Sequence, residues 1–156
     1  MKVDAMEAFQ NFRVMVLDDE EQVCDTLTAT IQSWGLCAEG FTRPETAFEN
    51  ARRNKSDIIL LDVFLHNVCG LDLIPQFGDD LKIIIITGLA DKDMAIRALK
   101  LGAFDLIEKP FHNELLYHCI LRALRALENE RESRRLAKEL ARSRSELVAQ
   151  QERRKI

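Results

Sequence analysis

Several apolar runs in this sequence end in residues that carry charge or a reactive oxygen. Asp18, Asp19 and Glu20 follow the first run, and Asp62 follows the run IILL. Thr87 and Gly88 follow IIII, and Lys109 with Pro110 follows the last run. If the runs are parallel strands, these residues converge on one edge, because sites in open α/β sheets form at the carboxyl ends of the strands. Three carboxylates close together repel one another and raise each other's pKa. A hard divalent cation resolves that conflict. Mg²⁺ takes oxygen ligands, keeps several waters and accepts a phosphoryl oxygen. An aspartate beside such an ion can attack a phosphoryl group and form an acyl phosphate. The transferring group carries its charge on peripheral oxygens, so positive charge from Mg²⁺ and Lys109 would do most of the catalysis. The Thr87 hydroxyl can donate to a phosphoryl oxygen. Taken singly, Asp18 or Asp19 could cap a helix, Asp62 could be a turn residue, Thr87 a strand-end hydroxyl and Lys109 a solvated side chain. Their occurrence together at four strand ends is what points to one site.

The elements that must position these groups are legible as five apolar runs: Phe12–Leu17, Leu36–Phe41, Ile58–Leu61, Ile83–Ile86 and Phe104–Ile107. The third and fourth are continuous rather than alternating, the mark of strands covered on both faces. Helical patterns separate the runs. Val23, Leu27, Ile31 and Trp34 lie on one helical face, and Gly35 is placed to end that helix. Thr42 and Pro44 offer a cap and a first-turn proline to a second helix. Gly70–Phe77 reads as a shorter third, interrupted by Pro75. Asp91 can cap a fourth, Met94–Leu101, and a fifth begins after Pro110. Strand and helix alternate five times, which predicts an α/β fold: a doubly wound, five-stranded parallel sheet of flavodoxin-like type.

Composition bounds the alternatives. The chain has 156 residues and a net charge of -4. There is no strong basic field, which argues against direct nucleic-acid binding. No stretch approaches the ~20 apolar residues that span a bilayer, and residues 1–11 do not read as a signal peptide. Cys24, Cys37, Cys69 and Cys119 form no CxxC pair and no metal-ligand run with His66, His112 or His118. They read as buried or half-buried thiols, and a cytoplasmic location is the default expectation. After Leu127 the composition turns to Arg, Glu, Lys, Ala and Ser, with no Gly or Pro. The fifth helix is therefore expected to run on, roughly from Leu115 to Val148. Leu136, Leu140 and Leu147 form a heptad seam that is out of phase with Ile120, Leu124 and Leu127. A homodimer through this helix is one expectation, and a solvated single helix is the other.

The ordered segments VMVLDDEEQV (14–23), IILLDVFLHNVCGLDLI (58–74), IIIITG (83–88) and LGAFDLIEKPF (101–111) resemble the receiver domains of two-component response regulators. The resemblance covers residues 12–127, leaving 1–11 as an N-terminal extension and 128–156 as a helical extension or a linker to an output domain. It implies that Asp62 is the phosphoacceptor, phosphorylated by a sensor histidine kinase or a phosphotransfer protein. It implies Mg²⁺ held by Asp19, Asp62 and the backbone carbonyl of Phe64, with Asp18 acting through a water. Thr87 and Lys109 match the phosphate-sensing pair, and the Lys109–Pro110 bond is expected to be cis. The protein is then a signalling module that catalyses only its own phosphoryl transfer and dephosphorylation, switching an interaction or dimerisation surface. Three positions depart from the family pattern. His66 stands where a proline is common, Cys69 precedes Gly70 where an aspartate is frequent, and Leu106 takes the place of the rotating aromatic. With Leu106 there, the switch is expected to run through Thr87 and the fourth helix. Apolar Phe64 and Leu89 flank the site and are expected to shield the acyl phosphate from water. His66 reads as a surface loop residue. Two other classes share this kind of sheet. An aspartate-nucleophile phosphohydrolase would carry a DxD arrangement and a cap, where this chain has Asp18-Asp19-Glu20. A flavin module would offer Ser, Thr and Gly donors where this chain is acidic.

Overall fold

A computed structural model describes residues 2–88 and 91–155, with side chains described from Ala5 onward. The chain divides into two compact units, Met1–Leu124 and Arg125–Ile156. In the first unit a parallel sheet is built from β1 (Arg13–Leu17), β2 (Cys37–Phe41), β3 (Ile58–Asp62), β6 (Lys82–Thr87) and β7 (Asp105–Glu108). The strands lie in the order β2-β1-β3-β6-β7. These are the five expected apolar runs. Helices α2 (Glu21–Ser33), α3 (Pro44–Asn54) and α4 (Lys92–Lys100) link them, together with the 3-10 helix Gly70–Phe77. Helix α5 runs from Asn113 to Arg154 and belongs to both units in sequence. Among the described residues, no helix is long and apolar enough to cross a membrane.

Between their ends the central strands are apolar because each face has its own cover. Val14, Val16, Ile58, Leu60, Ile84, Ile86 and Ile107 join one buried layer with Leu27 and Ile31 of α2 and Leu116, Ile120 and Leu124 of α5. Met15, Leu17, Ile59, Leu61, Ile83 and Ile85 join the opposite layer with Ala47 of α3, Leu71 and Ile74 of the 3-10 helix and Ala98 of α4. Alternate residues of one strand thus point to opposite cores, and no polar face is left over. The segment expected to be an N-terminal extension carries a short helix, α1 (Lys2–Glu7), and buries Met6 and Phe9 in the first layer.

The structure differs from the sequence expectation in three local details. Pro44 is the first residue of α3, as expected, but the cap position is Arg43 and no side chain caps the helix. Thr42 is therefore not the cap. The third crossover is a 3-10 helix because Pro75 cannot donate the backbone hydrogen bond that an α-helix needs there. Among the four free cysteines, Cys24 and Cys119 are buried but Cys37 is exposed, since it opens the edge strand β2. Elsewhere the local signals hold. Gly35 follows α2 with φ +87°, and the Asp91 carboxylate accepts from the Met94 N–H at 2.7 Å to cap α4.

Between β3 and the 3-10 helix the chain makes a small antiparallel hairpin, β4 (Phe64–Leu65) with β5 (Val68–Cys69). The hairpin folds back on the end of β3, and the Gly70 N–H donates to the Val63 carbonyl at 2.6 Å. A β-carbon at Gly70 would fall on the Asp62 carbonyl oxygen and lie 3.0 Å from Val63 Cα. Only glycine allows this approach. Gly70→Ala is expected to destabilise the fold by about 1–3 kcal/mol, the usual cost of overpacking. Urea denaturation would check it, and an unchanged midpoint would show that the hairpin relaxes freely.

Candidate functional site

The carboxyl ends of β1, β3, β6 and β7 bring Asp18, Asp62, Thr87 and Lys109 to one edge of the sheet. Register explains why. Leu17 pairs with Leu61, so Asp18 and Asp62 leave adjacent strands side by side. Asp62 pairs with Ile86 and Thr87 with Glu108, which sets Thr87 and Lys109 one step beyond on the other flank. The Lys109 N–H donates to the Thr87 carbonyl at 2.7 Å, fixing the two strand ends together. The Lys109–Pro110 peptide bond is cis.

Asp18, Asp62 and Thr87 are buried, at 2%, 7% and 0% exposure. Asp19 is partly buried. One carboxylate oxygen from each of Asp18, Asp19 and Asp62 lies within 4.8 Å of the others. Each of the two buried acids gives one oxygen to a backbone amide two residues on. Asp18 Oδ1 accepts from the Glu20 N–H at 2.9 Å, and Asp62 Oδ1 accepts from the Phe64 N–H at 3.2 Å. Each turns its other oxygen to Lys109, whose Nζ is 3.3 Å from Asp18 Oδ2 and 3.5 Å from Asp62 Oδ2. Neither Asp18 nor Asp19 caps α2. The cap position is Glu20, without a side-chain bond.

The electrostatics follow from this crowding. Burial pushes the Asp62 carboxyl above its usual range and Asp18 adds to the effect, while the Phe64 N–H and Lys109 pull against them. Burial alone would lower the Lys109 ammonium, but Asp62 and Asp18 outweigh it and hold Lys109 above its ordinary value. One cation thus serves two buried anions, with a third close by. The donor set is all oxygen and strongly negative, which fits a hard cation such as Mg²⁺ and not a soft metal. Asp18, Asp19 and Asp62 are the side chains that could hold it.

Phe64 sits at the rim with its side chain 49% exposed, and Leu89 lies outside the described residues. Leu106 is half-buried in the layer beside α4, while Phe104 and Phe111 pack against the opposite layer. Neither phenylalanine therefore occupies the place of Leu106. One neighbour escaped the sequence reading. His66 is exposed, as expected of a loop residue, but its Nδ1 lies 3.1 Å from Asp19 Oδ2. The only sequence signal was its position four residues beyond Asp62, and that distance becomes meaningful only once the hairpin folds back.

A doubly wound parallel sheet with an acid cluster at its central strand ends and a lysine from the edge strand defines the receiver class. Residues 14–121 match the family described as response regulator receiver domain, and the chain belongs to that family. It is therefore the receiver domain of a two-component response regulator. It is 32% identical over 121 residues to the response regulator protein TodT of Pseudomonas putida, which covers 76% of this chain and 53% of TodT. The chain thus spans about half the length of that relative. A CheY-like receiver domain from Methanospirillum hungatei superposes with TM-score 0.72 at 22% identity, covering 76% of this chain and 98% of that one. A response regulator from Burkholderia pseudomallei, solved with a phosphorylated aspartic acid, a calcium ion and citrate, superposes with TM-score 0.65. It is 28% identical and covers 81% of this chain and 74% of that one.

If two buried carboxylates share one ammonium beside a third acid, removing one negative charge should relieve the fold. Asp62→Asn keeps an acceptor for the Phe64 N–H and leaves Lys109 paired with Asp18. In a chelator the variant is expected to unfold at a higher temperature than the wild type, by on the order of 1 kcal/mol or a few degrees. Thermal melts followed by circular dichroism would show it. An equal or lower midpoint would mean that the cluster is not in electrostatic conflict.

Proposed function

We propose that Asp62 accepts a phosphoryl group from a phosphohistidine of a sensor histidine kinase or phosphotransfer protein. The observation that carries this is the meeting of Asp18, Asp19 and Asp62 within 4.8 Å, with Lys109 Nζ 3.3 and 3.5 Å from two of them. An Asp62 carboxylate oxygen forms the new bond to phosphorus while the phosphorus–nitrogen bond of the donor breaks. Asp19, Asp62 and the Phe64 carbonyl would hold Mg²⁺, and Asp18 would act through a water. When bound, the ion supplies positive charge against the phosphoryl oxygens. Asp18 also anchors Lys109, whose ammonium faces the acceptor oxygen and meets the incoming charge. Burial keeps bulk water from the acyl phosphate, and exposed Phe64 adds an apolar rim. The phosphorylated aspartate and calcium ion in the Burkholderia relative support this reading.

The phosphorylated receiver then changes an interaction or dimerisation surface. Thr87 lies at the end of β6, just before the segment that leads into α4, so a hydroxyl drawn to phosphate would displace that connection. Leu106 provides no ring to rotate. In domain terms, residues 12–127 form the receiver and 128–156 a helical extension that pairs with a second copy. The chain acts in the cytoplasm and through protein partners, not as an enzyme on an external substrate or as a binder of nucleic acid.

Acetyl phosphate with Mg²⁺ is expected to add one phosphoryl mass to the wild type, measured on the intact protein. No addition is expected in a chelator or with Asp62→Asn. An Asp62→Asn chain that still gains the mass would remove the assignment.

The switch route has its own test. Thr87→Ala is expected to leave Asp62 phosphorylatable while abolishing any phosphorylation-dependent change in association seen by light scattering. If Leu106→Ala abolishes the response and Thr87→Ala does not, the route runs through β7 instead.

A further inference from the structure

The second unit is a helix whose residues 132–155 are all exposed. Leu136, Leu140 and Leu147 stand on it 51%, 69% and 59% exposed, with no core of their own. Such a helix is marginal in water by itself. We infer that this seam pairs with a second copy of the chain as a parallel, in-register two-stranded coiled coil. The inference rests on the homodimer proposed above and adds its orientation and register.

The heptad frame follows from the leucines. With Leu140 and Leu147 at a, Leu136 and Ser143 fall at d, and Ser133 and Gln150 extend the seam at a and d. The flanks are then charged unevenly. Glu132, Glu139, Glu146 and Arg153 fill the g positions, and Ala137, Arg144 and Gln151 fill the e positions. Within one helix Arg135 already bridges two of the g acids, with Nη2 2.6 Å from Glu132 Oε1 and Nη1 2.7 Å from Glu139 Oε1. Glu132 and Glu139 are thus close enough to share one cation, and the flank is acidic from Glu132 to Glu146.

Orientation decides what that flank meets. In a parallel pair each g residue faces the e residue five positions on in the other helix. Glu139 then meets the partner's Arg144, twice by symmetry. Glu132 meets the partner's Ala137 and Glu146 the partner's Gln151, so no like charges face each other. The core layers match as well: Leu136, Leu140 and Leu147 each meet their own copy, and Ser143 meets Ser143. An antiparallel pair on the same seam would set Leu136 against the partner's Leu147 and Leu140 against the partner's Ser143. It would bring Glu139 to the partner's Glu146, and the gain of Glu132 against the partner's Arg153 would only offset that repulsion. The parallel arrangement keeps both the apolar matches and the attraction.

Cysteine cross-linking of the full chain tests this, in a background with Cys37→Ser and Cys69→Ser and with oxidised glutathione as the oxidant. In the parallel pair, Ser133→Cys chains link to each other in high yield. In the antiparallel pair two such residues lie ~25 Å apart at 1.5 Å per residue, and a mixture of Ser133→Cys with Gln150→Cys chains links instead. Charge reversal gives a second reading. Glu139→Arg or Arg144→Glu alone should weaken association at least several-fold in sedimentation equilibrium, and the double variant should restore it. A dimer that cross-links only in the 133-with-150 mixture, or that the double variant fails to restore, overturns the orientation and leaves the dimer. A wild-type monomer by light scattering at tens of micromolar, phosphorylated or not, removes the dimer itself.

Discussion

One ammonium group shared by two buried carboxylates, with a third acid at hand, is the constraint on which this domain turns. Lys109 reaches both Asp18 and Asp62, and neither acid has another cation within bonding distance among the ion pairs of the described residues. Water cannot screen charges that the sheet has buried. The protein meets the cost partly through backbone amides, one N–H for each acid. What remains is a demand for more positive charge at these three carboxylates. The parallel register of β1 with β3 forces the two acids together, and the register of β6 with β3 and β7 fixes where the cation comes from. The fold builds the conflict, and the chemistry proposed for it is the relief.

Much of this is legible in the sequence. Continuous apolar runs at Ile58–Leu61 and Ile83–Ile86 announced strands buried on both faces, and the two opposite cores are the reason. The residues that close those runs marked the site, because strand ends in parallel sheets have one address. Gly35 and Asp91 worked as helix punctuation because their signals are local: a positive φ in one case, a carboxylate reaching an amide three residues on in the other.

What sequence reasoning missed depends on contacts far apart in the chain. Helix α1 is too short to show a period, so Met6 and Phe9 read as part of a loose extension, although both are buried. Thr42 looked like a cap, but the backbone turns one residue later, at Arg43. His66 looked isolated because its neighbour, Asp19, lies on another strand's loop. Cys37 read as a packed thiol because nothing in its local sequence says that β2 is an edge. In each case the deciding fact is tertiary.

The 3-10 helix that follows the hairpin gives the receiver an uneven stiffness. Each of its residues advances about 2.0 Å along the axis against 1.5 Å in an α-helix, and its hydrogen bonds are poorer in geometry. The eight residues from Gly70 to Phe77 therefore span their side of the sheet as a stretched strap rather than a rod. On the other flank, Lys109 approaches the site from β7 with α5 behind it, a helix of 42 residues. The acid cluster thus sits between two unlike walls, a 3-10 strap that follows the acceptor strand and an α-helix that follows the strand of the lysine.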